Sequence, residues 1–310
     1  MDSTQYKRNR LDELRRYFIF MKERFGLIGS SFMITLFVLA HYGLVYIKSD
    51  LVIETHLLFA VILGSIIFFV KLRLYDEIKD YEVDLIQNPD RPLPRGLVTR
   101  DELKEGIEKR IMLESILFYG AGIEAFSSIL LAIAYSLLMY KEFFIGKYIR
   151  PHLTTYATSH TIVTFFLSLA IFSAFTQSFI WNLDGEYIFF SLMSWLLFNI
   201  FELGRKMYQP FEERDQVESY SKVWTRPGAT LLVLIHASLI QWLIHKIEFF
   251  KDPLFLMIFR IPVAILLLVS LLYLLLKKSV TANLYRNYST VFILLNYVII
   301  LFFLAKAALN

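Results

Sequence analysis

Apolar residues in this chain come in long unbroken runs, without the strict alternation of a half-buried strand or the narrow stripe of a surface helix. Runs at 26–47, 55–73, 108–121, 122–140, 152–176, 186–205, 227–246, 254–276 and 287–308 predict about nine membrane-crossing helices. Backbone polar groups inside lipid must be satisfied within their own segment, so each run is expected to be helical. The expected fold class is therefore all-α: a polytopic membrane protein, one domain over 1–310, with its helices around a central cavity. The third and fourth runs are short, and Gly120-Ala121-Gly122 between them is either a tight turn or a kink in one longer helix. Polar segments at 74–107 and 206–226 are the two long loops, expected to cap the bundle on one side. Residues 7–24, with Leu11, Leu14, Tyr17, Phe18 and Met21 among basic groups, predict a helix lying on the membrane surface, so that 1–24 forms an interfacial segment.

Composition sharpens this picture in two ways. Hydrophobic residues make up 56% of the chain and mean hydropathy is +0.53, which excludes a soluble domain. Of the 32 Lys and Arg residues, all but Lys48, Lys246, Lys251, Lys306 and Arg260 fall on one side of the nine-span topology, so the N-terminus and both polar loops are expected to be cytoplasmic. The net charge of +4 then reflects orientation in the membrane, and no nucleic-acid partner is expected. No cleavable leader is expected either, since the first apolar run is long enough to span. With no cysteine, thiolate chemistry, disulfides and Cys-type zinc sites are excluded.

Candidate chemistry sits at the inner end of the second run, where Asp76, Glu77, Asp80, Glu82 and Asp84 crowd together. If the helix continues, Asp76, Asp80 and Asp84 form one stripe about 12 Å long, with Glu77 one position around. Like charges this close are costly beside lipid and make chemical sense around a hard cation with oxygen ligands. Arg91-Pro92-Leu93-Pro94-Arg95-Gly96 follows. A second acidic and basic group begins at the end of the sixth run with Asn199, Glu202, Arg205 and Lys206 and continues through Glu212, Glu213, Asp215, Glu218 and Lys222. Pairing of Glu202 with Arg205 and Lys206 along one helix would equally account for those three.

These motifs together resemble the UbiA superfamily of intramembrane prenyltransferases, such as the 4-hydroxybenzoate polyprenyltransferases, over the whole chain. The family's first motif reads Asn-Asp-x-x-Asp-x-x-x-Asp, and Asp76, Glu77, Asp80 and Asp84 stand in its four places; its Arg-Pro-Leu-Pro-Ser-Gly is matched apart from Arg95. The second motif departs more, because Arg205 and Lys206 stand where further acid is expected; the chain therefore reads as a divergent branch. The resemblance implies transfer of an isoprenyl group from an isoprenyl diphosphate to an aromatic, small-molecule or lipid acceptor within the membrane, with Mg2+ as cofactor. It implies Asp76, Glu77, Asp80, Asp84, Glu202 and Glu212 as metal ligands, the first five as catalytic. Arg91, Lys22, Arg24 and Lys222 become phosphate contacts by position, and Arg205 and Lys206 by charge. Tyr156 and His160, one turn apart, and Asn199 become candidates for the substrate cavity. Two other readings stand beside it. One is a phosphoribosyltransferase of the same superfamily acting on a polyprenyl phosphate. The other is a transporter for divalent ions or lipid, whose acids would be expected nearer the membrane midplane.

Overall fold

The computed structural model describes residues 10–49, 54–214 and 218–309. Among these every regular element is helical: α1 Arg10–Arg24, α2 Leu27–Ser49, α3 Thr55–Lys79, α4 Tyr81–Gln87, α5 Arg100–Tyr119, α6 Ile123–Tyr140, α7 Gly146–Ile149, α8 Leu153–Thr161, α9 Val163–Thr176, α10 Gly185–Gly204, α11 Tyr220–Val223, α12 Thr225–Ile244, α13 Pro253–Phe259, α14 Ile261–Leu275 and α15 Ser279–Ala308, with short 3-10 turns between some of them. Eight segments are long and apolar enough to cross a membrane: α2, α3, α6, α8–α9, α10, α12, α13–α14 and α15. The ninth expected span is the second half of α5. That helix starts earlier than its apolar run, with Asp101, Glu102, Lys104 and Glu105 in its polar first turns, and so falls outside the apolar set.

The long helices close into a ring. Neighbours pack in the order α2, α3, α5, α6, α9, α10, α12, α14, α15 and back to α2, while α2 against α9 and α10 against α15 tighten the middle. Lipid-facing residues such as Phe59, Leu131, Trp242 and Phe302 are exposed, whereas Phe37, Phe172, Phe198 and Tyr297 are buried in the centre. A polar chain crosses this core: His41 Nε2 contacts Ser168 Oγ at 2.5 Å, and Ser168 donates to Ser191 at 2.7 Å. Both hydroxyls of this chain are thereby satisfied, as burial away from water favours.

Local chemistry sets the joints. Gly120-Ala121-Gly122 is a turn, not a kink: Gly122 has φ +114°, and Gln177 donates to the Ala121 carbonyl at 2.6 Å. A capping box begins α5, with Thr99 Oγ1 accepting from Glu102 N at 3.2 Å and Glu102 Oε2 accepting from Thr99 N at 2.7 Å. Gly204 ends α10 where α15 passes so close that a Cβ would lie 1.9 Å from Ser289 Oγ.

The two polar loops are pinned rather than loose. The Arg16 guanidinium meets Glu102 at 2.8 Å, Tyr17 donates to the Glu102 carbonyl at 2.8 Å, and Arg95 reaches Glu23 at 2.9 Å. α1 covers the described part of the helix expected over 7–24 and is strapped to the first loop, with Phe20 buried against the bundle while Leu14 and Phe18 stay exposed one turn apart. Residues 1–9 and the Leu11 side chain lie outside the described part of that segment. In the second loop Gln209 is buried and donates to the Tyr273 carbonyl at 3.2 Å, and Arg286 donates to the Met207 carbonyl at 2.8 Å.

Candidate functional site

Backbone hydrogen bonds run from Asp80 N to Asp76 O, Asp84 N to Asp80 O and Asn88 N to Asp84 O, at 2.9, 2.8 and 2.9 Å. Four-residue register therefore survives the joint at Asp80 between α3 and α4, and the acidic stripe exists. Its members differ sharply in surroundings. Glu77 is buried, and one of its oxygens accepts from Arg24 Nε at 2.8 Å and from Arg73 one turn back, while its other oxygen is buried with no partner. Asp84 is buried too, held by Arg91 at 2.6 Å and Asn88 at 2.9 Å. Asp76 and Asp80 have neither a hydrogen bond nor an ion pair among the described residues. At Asp80, desolvation first and then the charges of Asp84 and Glu77 raise the carboxyl above its ordinary range, against the pull of Lys79 and Arg73.

Opposite the stripe stands α8. Lys79 Nζ donates to Tyr156 OH at 2.6 Å and to His160 Nε2 at 3.1 Å. Because an ammonium only donates, His160 Nε2 must be the acceptor; Nδ1 then carries the proton that meets the Tyr156 carbonyl at 2.6 Å. The Tyr156 and His160 rings stack with centroids 3.9 Å apart. Glu142 approaches the same ammonium at 3.9 Å and pairs with Arg150 at 2.8 Å. It gets there through a left-handed turn in which Glu142, Phe143 and Phe144 have φ of 51°, 54° and 58°. Nothing in the sequence around Glu142 announces this, since a single acid carries no spacing pattern.

The end of α10 closes the third side. Glu202 binds Arg205 at 2.5 Å and Lys206 at 3.2 Å. Desolvation works against the Arg205 charge, but Glu202 and then Asp76 outweigh it and hold the guanidinium above its ordinary pKa, so the two acidic regions act on one arginine. Tyr220 lies on the same side: burial and then Glu202 push its phenol up, and its hydroxyl is buried without a partner. One turn before Glu202, buried Asn199 accepts from Thr161 Oγ1 at 2.5 Å and leaves its Nδ2 unpaired.

Other candidates are not brought to this cluster. Glu212 spends its oxygens on Arg286 at 3.2 Å, Ser279 at 2.7 Å and the Gln209 backbone N–H at 2.9 Å, fastening the second loop to α15. Lys22 is exposed on α1, and Lys222 is exposed and donates to the Arg214 carbonyl at 3.3 Å. Asp215 lies outside the described residues. Arg24 and Arg91 line a polar cavity of about 300 Å³ with Glu23, Gln87, Asn88 and Asp90.

No three His, Asp or Glu side chains among the described residues gather closely enough to cage an ion. Unpaired acceptors on Asp76 and Asp80, with unpaired donors on Asn199 and Tyr220, make a donor set that fits a cation carried by a polyanion.

Two solved membrane proteins share this architecture. One is a structure of digeranylgeranylglyceryl phosphate synthase in membranes, 17% identical over 95% of this chain and 99% of that one, with a TM-score of 0.62. The other is the apo structure of a UbiA homologue from Aeropyrum pernix K1, 15% identical over 89% of this chain and 96% of that one, with a TM-score of 0.58. No family model and no curated protein matches the sequence. The fold of this chain is that of the UbiA prenyltransferases.

Proposed function

We propose that this membrane protein transfers an isoprenyl group from an isoprenyl diphosphate to a small or lipid acceptor, with magnesium as cofactor. The observation that carries the reading is the sorting of the acidic stripe. Glu77 and Asp84 are neutralised by arginines, while Asp76 and Asp80 have no hydrogen-bond or ion-pair partner among the described residues and lie within reach of the Lys79 and Arg205 charges. Unpaired carboxylates beside three cations, of which Arg205 and Lys206 share the single carboxylate of Glu202, fit a ligand that carries both signs. That one structural neighbour is named as a prenyl-glyceryl phosphate synthase agrees with the reading.

Each residue then has a role. Asp76 and Asp80 would hold the metal, which would supply Lewis-acid neutralisation of the departing diphosphate. Arg205, Lys206 and Lys79 add positive charge at the leaving group, and Asn199 Nδ2 and Tyr220 OH add neutral donors, fixed in advance in a dry environment where such donors act most strongly. As the allylic C1–O bond breaks, its electron pair leaves with diphosphate; the acceptor then bonds to C1 and loses a proton. Tyr156 and His160, stacked beside Lys79, would contact the acceptor or the allylic end. Glu77 is a positioning residue that ties α1 to α3 through Arg24, and Arg24 and Arg91 are the cations of the adjoining polar cavity. Glu202 orients Arg205 and Lys206, while Glu212 and Lys222 serve the loop.

A transporter is disfavoured because the charged pair deep between the helices, Lys71 with Glu114, is fully buried and self-neutralised. A phosphoribosyl diphosphate donor would use the same metal and phosphate groups, and turnover separates the two. Purified protein is offered labelled isoprenyl diphosphates of several lengths with a mixed acceptor pool, with and without magnesium. Magnesium-dependent release of diphosphate with a labelled lipid product is expected. If well-folded protein consumes no isoprenyl diphosphate, prenyl transfer is wrong.

A further inference from the structure

Arg260 sits where a membrane protein rarely leaves an arginine. α13 enters from the face opposite the carboxylate stripe and is seven residues long, so Arg260 begins about 10 Å below that helix end. The span breaks there because Pro262, at the start of α14, lacks an N–H. At this break the Gln241 side chain donates to the Phe259 carbonyl at 3.3 Å. No carboxylate pairs with Arg260 among the described residues. In the segment leading into α13, Glu248 pairs with Lys251, and Asp252 accepts from Phe255 N at 2.8 Å.

Between α12 and α14 lies a groove of about 370 Å³, lined by Gln241, Trp242, His245, Arg260, Val263, Ala264 and Leu267. Lys246 lies over the Trp242 ring, 5.0 Å from its centroid, and puts a second cation at the rim. Of its lining, Trp242 and Leu267 are exposed apolar residues on the lipid-facing surface, as are Ile261 and Leu268 beside them on α14. Gln241 Oε1 is buried with no donor. An unpaired guanidinium at this depth is costly and is stabilised by an anion delivered in the bilayer.

We propose that this groove binds an anionic glycerophospholipid in the leaflet opposite the carboxylate site. Its phosphodiester meets Arg260, with Lys246 and His245 at the rim, and its acyl chains lie along Val263, Ala264 and Leu267. A headgroup hydroxyl, as in phosphatidylglycerol, supplies the donor that Gln241 Oε1 lacks. This inference is independent of the prenyl-transfer reading.

Trp242 gives a built-in probe. Full-length protein is reconstituted into phosphatidylcholine vesicles containing increasing brominated phosphatidylglycerol or brominated phosphatidylcholine, and the emission of W242F is subtracted to isolate Trp242. Half-maximal quenching should need about five-fold less phosphatidylglycerol, the increment expected for one basic group near the membrane surface. In R260Q the two lipids should quench alike, whereas R260K should keep part of the preference. A264L, which fills the groove floor on a lipid-facing surface, should remove the preference with Arg260 intact. Equal quenching by both lipids in the wild type, or an unchanged preference in R260Q or A264L, overturns the proposal. So does a preference abolished by inorganic phosphate but not by sodium chloride of equal ionic strength, which would assign the site to a soluble anion.

Discussion

Replacing Glu114 with Leu removes half of an ion pair that joins α3 to α5 inside the membrane domain. Lys71 and Glu114 both have zero side-chain exposure, and the Lys71 ammonium also lies 4.0 Å from the centroid of the Phe68 ring. Glu114→Leu leaves that ammonium buried without its counter-ion, which costs about 3–5 kcal/mol; Lys71→Met strands the carboxylate and costs about the same. Removing both charges in Lys71→Met/Glu114→Leu discards the desolvation cost along with the attraction, so the double variant should match the wild type or exceed it by about 1–4 kcal/mol. The assay is equilibrium unfolding in mixed micelles, read as a double-mutant cycle, where these values imply a coupling of at least about 6 kcal/mol. Function offers a second readout. Lys71 lies five residues before Asp76 on the same helix, so the single variants should lose turnover as α3 loosens and the double variant should recover it. Additive losses in the cycle, or a double variant as unstable as either single one, would refute the reasoning.

Asp76→Asn and Asp80→Asn should each lower turnover by at least about 100-fold while moving the unfolding midpoint little, because neither carboxylate has a hydrogen bond or ion pair to lose among the described residues. An Asn variant with wild-type turnover would remove that carboxylate from the site. Glu212 is expected to give a pH-dependent contribution of about 1 kcal/mol. Desolvation raises its carboxyl, but Arg286, Gln209 and Ser279 outweigh this and hold the pKa below the ordinary 4.5. Its stabilisation is therefore complete above the unfolded value and is lost as pH falls through the lower folded value. The stability difference between wild type and Glu212→Gln, followed from pH 7 to 3, should shrink only at the acid end. Gly204→Ala should cost about 1–3 kcal/mol, since the new Cβ would lie 2.2 Å from Ser289 Cβ, and adding Ser289→Gly should restore most of the loss in the same unfolding assay.

The sequence by itself determined the helices and their membrane class, since lipid offers the backbone no partners and any apolar run of sufficient length must fold on itself. It also determined the spacing of Asp76, Asp80 and Asp84, because helix register is local and continues through the joint at Asp80. The limits of α5 were not legible from apolarity: its first turns lie in the polar cap and are set by the Thr99–Glu102 capping box, not by a lipid-facing pattern. Only tertiary structure decided which acids remain free. Glu77 is claimed by Arg24 from 53 residues away, Lys79 meets Tyr156 across 77, and Glu212, placed by sequence with the second cluster, is taken by Arg286 across 74. A helical period fixes the direction of a charge on its own helix. Its partner depends on the order in which the helices close the ring, and that order follows from side-chain packing over the whole chain.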